Sequence, residues 1–167
     1  MPAKNASRRG SVMLEFALTA IPLLFVIVSL VSICIGMWQY HTLAEAVNGT
    51  ARYAEVHGAG CAGQSCATTV GQFVTLLEGR AVGIPASQVN VTFASSASTV
   101  PCNPLSSCAD SATVWPSLAA NMAVTTNISV TATYQFSSPI SMWVPGKGAQ
   151  QFGAITLGAN STQPVLY

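Results

Sequence analysis

The chain has 167 residues, half of them hydrophobic and only 7% charged, with a formal net charge of +1. A chain of this length with a long apolar segment at its front has room for one small folded domain rather than two. So low a net charge leaves no electrostatic footprint for nucleic acid, and the recurrence of Val, Ile, Leu, Phe, Tyr and Trp excludes a disordered chain.

Residues 1–10 read as a short cytoplasmic leader carrying Lys4, Arg8 and Arg9 and no acid. A helix is expected from Ser11. Its uncharged run from Phe16 to Trp38 would extend about 35 Å, enough to cross a hydrocarbon core. A cleaved secretory signal has a shorter apolar region, about 7–15 residues, and then a small-x-small cleavage site. Here the helical pattern continues past Trp38 without such a break, which favours an uncleaved anchor. The basic leader, set against the mixed charges Glu45, Arg52 and Glu55 beyond the span, puts the N-terminus in the cytoplasm and the bulk of the chain outside. Pro22 removes a backbone donor inside the span and predicts a kink there. Trp38 and Tyr40 fall where an aromatic belt would sit.

Beyond the span the helix is expected to run on to about Val56. Met37, Tyr40, Ala44, Val47, Ala51, Ala54 and Gly58 follow at alternating steps, the spacing of a narrow helical seam. Such a seam packs either on the chain's own domain or on like helices in an assembly. Residues 11–57 are thus read as a transmembrane helix with an amphipathic extension, and residues 58–167 as an exported domain.

In that domain a second helix is expected from Ala67 to Val82, with Val70, Phe73, Val74, Leu77 and Ala81 on its apolar face and Gly83 and Pro85 as its stop. Val89, Val91 and Phe93 alternate with polar residues and predict a short half-buried strand. Residues 94–117 read as a long irregular loop. Met122, Val124, Ile128, Val130, Ala132, Tyr134 and Phe136 share one parity and give the clearest strand, closed by Ser137-Ser138-Pro139. A turn is expected at Pro145-Gly146-Lys147-Gly148, and a last strand from Gln151 to Leu157 before a polar tail. The class is α+β: a small outer domain of one helix on an antiparallel sheet, hung from the long N-terminal helix.

Cys34 lies in the span as a small apolar residue. Cys61, Cys66, Cys102 and Cys108 are an even set in the exported part and read as two disulfides. Three connectivities are open, and the two local loops have the lowest closure entropy. A zinc site would need pairs spaced more widely than most structural zinc motifs, with His57 the only nearby histidine. No nucleophile elbow, zinc-protease helix, phosphate loop or dinucleotide fingerprint occurs. His41 and His57 have no evident acidic partner. The expectation is a protein with no catalytic residue, no metal site and no cofactor.

The distinctive stretch is Arg8-Arg9-Gly10-Ser11-Val-Met-Leu-Glu15-Phe16, running into the apolar span. Gly10, four residues, then Glu15 and Phe16 is the pattern of a class III signal sequence. With Pro22 in the span, Ala-x-x-Gly-x-Ala-Arg52-Tyr53-Ala54 after it, and Tyr134-Gln-Phe136 before Pro139, the chain resembles the TadE-like minor pseudopilins of tight-adherence (Flp-type, type IVc) pilus systems. The resemblance implies cleavage between Gly10 and Ser11 by a prepilin peptidase and residence in the inner membrane. It also implies assembly through the Glu15, Phe16 and Pro22 segment with other pilins, pseudopilins and the pilus machinery, in the service of surface adherence.

Physical chemistry gives Glu15 a reason of its own. A carboxylate in a membrane span costs about 2.5–3.5 kcal/mol on insertion scales and needs a partner. Cleavage would create an α-amino group close by, on this chain or on a neighbour, and the pair would set the register between helices. Otherwise Glu15 snorkels to the inner headgroups beside Arg9. The rival to a pilus role is a single-pass envelope protein whose outer domain binds a ligand or another protein.

Overall fold

Ala6–Val56 form one helix, α1, in a computed structural model that describes residues 6–57, 68–117, 126–138, 141–144, 148–151 and 154–165. It begins at Ala6 rather than Ser11 because nothing there breaks a helix. Arg8 and Arg9 are good helix formers, and Gly10 alone costs about 1 kcal/mol against alanine. The helix passes through Pro22 and ends at Val56, as expected.

The chain divides into two compact units, Met1–Gly36 and Met37–Tyr167. The last part of α1 therefore belongs to the same unit as the elements that follow it. There it buries Leu43, Ala46, Val47, Thr50, Ala51 and Ala54, a stripe at helical spacing. The expected seam is partly corrected. Val47, Ala51 and Ala54 lie in the stripe, but Met37 and Tyr40 are 58% and 44% exposed, Ala44 is half-buried, and Gly58 lies outside the described residues. Leu43, with far more apolar area than Ala44, sets which side turns inward. Thr50 is tolerated in the stripe because its hydroxyl donates to the Ala46 carbonyl at 2.7 Å.

The second helix, α2, runs Val70–Arg80, inside the expected 67–82. Its first four backbone N–H groups all find acceptors, which a helix start requires. Val70 and Gly71 donate to the carbonyls of Thr113 and Ser111, and Gln72 and Phe73 to that of Thr69. Thr69 and Gln72 also form a reciprocal capping box, a threonine-x-x-glutamine signature present in the sequence. Thr69→Ala is expected to cost about 1 kcal/mol, read as a lower denaturation midpoint with an unchanged slope. The anticipated face of Val70, Phe73, Val74, Leu77 and Ala81 is buried throughout.

The strands are β1 (Val89–Ala94), β2 (Thr99–Cys102), β3 (Asn127–Ser137), β4 (Ser141–Val144), β5 (Gly148–Gln151) and β6 (Ala154–Pro164). Four make an antiparallel sheet in the order β2-β1-β3-β6, and β4 and β5 form a separate pair. The expected turn at Pro145–Gly148 thus falls between paired strands, with residues 145–147 outside the described set. In register, Val89, Val91 and Phe93 of β1 face Tyr134, Ala132 and Val130 of β3. All of these are buried, so the alternation read from the sequence does mark the core face. Met122 and Val124 lie outside the described residues.

Two strand expectations are corrected. Residues 94–117 are not an irregular loop: they hold β2 and a short 3-10 turn at Leu105–Cys108. Four residues containing a proline are too few to display a period, and β2 forms by pairing back onto β1 from Val91 to Ala94. The last strand is Ala154–Pro164, not Gln151–Leu157. It pairs with every residue of β3, from Asn127 opposite Pro164 to Ser137 opposite Ala154. Backbone pairing, rather than hydropathy, draws the polar tail into the sheet.

Phe73 of α2, Phe93 of β1 and Trp115 meet at ring-centroid distances of 5.2–6.2 Å, and Tyr53 of α1 stands edge-on to Phe73 at 5.9 Å. These contacts join both helices to the sheet, in the geometry aromatic rings favour.

Candidate functional site

The candidate site is a helical segment, not a pocket. Leucine, isoleucine, valine and phenylalanine crowd the stretch of α1 after Val12, and on a helix they project to every side. Val12, Leu14, Phe16, Leu18, Leu23, Leu24 and Ile33 are each more than half exposed. The most apolar window of α1 has a mean hydropathy of 2.7 with none of it buried. An apolar helix that its own chain leaves uncovered needs another apolar environment. α1 is a candidate membrane anchor.

Glu15 lies on this helix with its side chain exposed. One turn on, the Thr19 hydroxyl donates to the Glu15 carbonyl at 3.0 Å and the Phe16 carbonyl at 3.1 Å. Ser29 and Ser32 likewise donate to the carbonyls of Phe25 and Val28 at 2.8 and 3.0 Å. Hydroxyls tied back to their own helix are the form in which polar side chains enter hydrocarbon at low cost. Among the described residues the Glu15 carboxylate has no such tie, and it is the polar group of this stretch that still needs a partner. Phe16 is 69% exposed beside it, and Pro22 is inside the helix. Gly10 and Ser11 belong to the backbone of α1, so the bond between them is helical. Glu15, Phe16 and Pro22 thus sit on one uninterrupted element downstream of that bond.

Of the four cysteines beyond α1, Cys102 and Cys108 are joined in a disulfide across six residues, one of the two local loops expected. Cys61 and Cys66 lie outside the described residues. Cys34 is an exposed free thiol. Among the described residues no group of three or more His, Cys, Asp or Glu side chains could hold a metal. His57 stacks on Tyr53 with ring centroids 4.0 Å apart, its Nδ1 2.9 Å from the Tyr53 carbonyl. His41 stands edge-on to Tyr40 at 5.8 Å.

The second half of the signature, Ala46 to Ala54, does different work from the first. Ala46, Ala51 and Ala54 are core residues, and Gly49 is the notch over which Arg80 of α2 lies. A β-carbon at Gly49 would overlap the guanidinium of Arg80. This crossing lies in a shallow cleft lined by Glu45, Asn48, Arg52, Tyr53 and Val56. A second contact tightens the same unit. The Gln39 amide donates to the Gly83 carbonyl at 3.2 Å, and the Trp38 ring lies close against Gly83. Sequence reading gave Trp38 to the membrane interface and did not find this contact, whose only local signal is a glycine after a helix.

A long apolar helix continuing into a small α+β domain, with a carboxylate near its start, is the design of a candidate membrane-anchored protein. Residues 10–52 match the family model described as TadE-like protein; Gly10, Glu15, Phe16 and Pro22 fall inside the match, and Tyr134-Gln-Phe136 falls outside it. Over this segment, about a quarter of the chain, the sequence is similar to TadE-like proteins. No curated protein and no solved structure matches the chain.

Proposed function

We propose that this chain is a minor pseudopilin of a tight-adherence pilus system, processed after Gly10 and held in the inner membrane by α1. Its N-terminus is cytoplasmic and its α+β domain is outside. The observation that carries the reading is the arrangement of Gly10, Glu15 and Phe16 at the head of an exposed apolar helix, within a TadE-like match. The role is structural rather than enzymatic. The chain contributes a helix to a membrane-embedded bundle, and Glu15 pairs with the α-amino group freed at Ser11 of a neighbour.

Peptidases bind extended substrate, so cleavage requires the first turns of α1 to unwind. Glycine at position 10 eases that step, because its helical state is the least favourable of any residue but proline. Mass spectrometry of the mature N-terminus, with and without a co-expressed prepilin peptidase, tests the reading. The expected result is a chain starting at Ser11 only when the peptidase is present. A chain still starting at Met1 or Pro2 in both samples overturns the processing step.

A further inference from the structure

The two edges of the sheet are unequal. β2 is four residues long, contains Pro101 and ends in the Cys102–Cys108 staple, the short and interrupted form in which proteins guard an edge from adding further strands. β6 is the opposite. It is eleven residues long, carries no charge, and holds its only proline at its last position. It pairs one-to-one with β3 along its whole length without a bulge. No described strand lies on its other side. Within the strand itself there is no lysine, no bulge and no internal proline to guard it.

Gly158, near the centre of β6, adds an independent observation. Glycine inside a strand weakens it and is usually explained by a bulge, a positive φ or the close approach of another backbone. The ladder is continuous through it, its φ is not among the positive ones, and a β-carbon there would meet nothing within 4 Å. Nothing described in the chain itself requires glycine, and a residue without a side chain leaves this part of the edge open to a second strand.

We propose that β6 pairs antiparallel with β6 of a second copy, joining two sheets into one about a two-fold axis through Ala159. The sequence of β6 suits this self-pairing. About that centre Gly158 faces Asn160, Leu157 faces Ser161, Thr156 faces Thr162 and Ile155 faces Gln163. No like charges meet, and threonine faces threonine twice. Parity is preserved, so the half-buried or buried Leu157, Ala159, Ser161 and Gln163 all remain on one face. Ile155, 59% exposed in the single chain, gains cover from the partner's strand. The rule that self-association uses one self-complementary patch is met by a single strand.

The test uses the full chain in detergent, with mass measured by light scattering and dimer dissociation followed by dilution. Thr156 and Thr162 are exposed, so lysines there leave the fold intact, which circular dichroism checks. T156K/T162K sets like charges opposite each other twice and is expected to weaken dimerisation at least about tenfold. T156K/T162E sets opposite charges together twice and is expected to dimerise as well as the unmodified chain or better. A monomeric unmodified chain, or equal association of the two double variants, overturns the proposal.

Discussion

Replacing Glu15 with glutamine is expected to leave the chain in the membrane and its outer domain as stable as before, yet remove it from the pilus assembly. Glutamine keeps the shape of the side chain and discards its charge, so insertion becomes easier, not harder. The domain is indifferent because Glu15 is an exposed residue of the Met1–Gly36 unit. In the proposed assembly, what is lost is the partner of the neighbouring α-amino group. Leaving one member of a buried ion pair uncompensated costs about 3–5 kcal/mol, a drop of about a hundredfold or more in association. Immunoblotting of the variant in sheared surface fractions and in membranes reads both halves of the expectation. Normal amounts of the Glu15→Gln chain in the assembled fraction would show that the carboxylate sets no register.

Trp115→Ala is expected to be the most damaging change in the outer domain. Trp115 is fully buried between Phe73 and Phe93, and truncating a buried tryptophan costs about 3–5 kcal/mol. That is a large share of the roughly 5–15 kcal/mol that holds a domain together. The loss reaches further than one cavity, because the Trp115 backbone N–H donates to Thr68 and neighbouring carbonyls receive the first donors of α2. Trp115→Phe is expected to be far milder. Among the described residues the buried indole Nε1 has no hydrogen-bond partner, and removing an unsatisfied donor offsets part of the lost packing. Denaturant titration of both variants separates the outcomes: equal midpoints would show that ring volume at this position does not hold the core.

The parts of this protein that could be read from its sequence are those where side chains carry a period. The α2 face and the alternation of β1 and β3 follow directly from burial on one side of a helix or strand. So does the anchor, where length and lack of charge suffice. The capping box of Thr69 and Gln72 was equally legible but is only two residues, easily passed over in a chain rich in threonine and glutamine. β2, the second half of β6 and the place of Trp115 were not legible. Each is fixed by pairing or packing with residues far away in sequence, and their own hydropathy says little. The candidate site divides in the same way. Gly10, Glu15, Phe16 and Pro22 announce themselves because a glycine, a lone acid and a proline are exceptions in an apolar run. Gly49, by contrast, is explained only by Arg80, which crosses it from α2.

The sheet also fixes an order of events during folding. β3 lies between β1 and β6, yet it follows β2 in the chain by more than a score of residues. β1 and β2 can close on each other early as a local hairpin, whereas β3 must find β1 across a long loop. β3 and β6, by contrast, meet where Ser137 faces Ala154, a shorter closure than that of Ala94 on Ser129 between β1 and β3, so they can pair before β3 docks. The sheet is then completed by joining two local pairs, β2 with β1 and β3 with β6, and the junction of β1 with β3 is the long-range step.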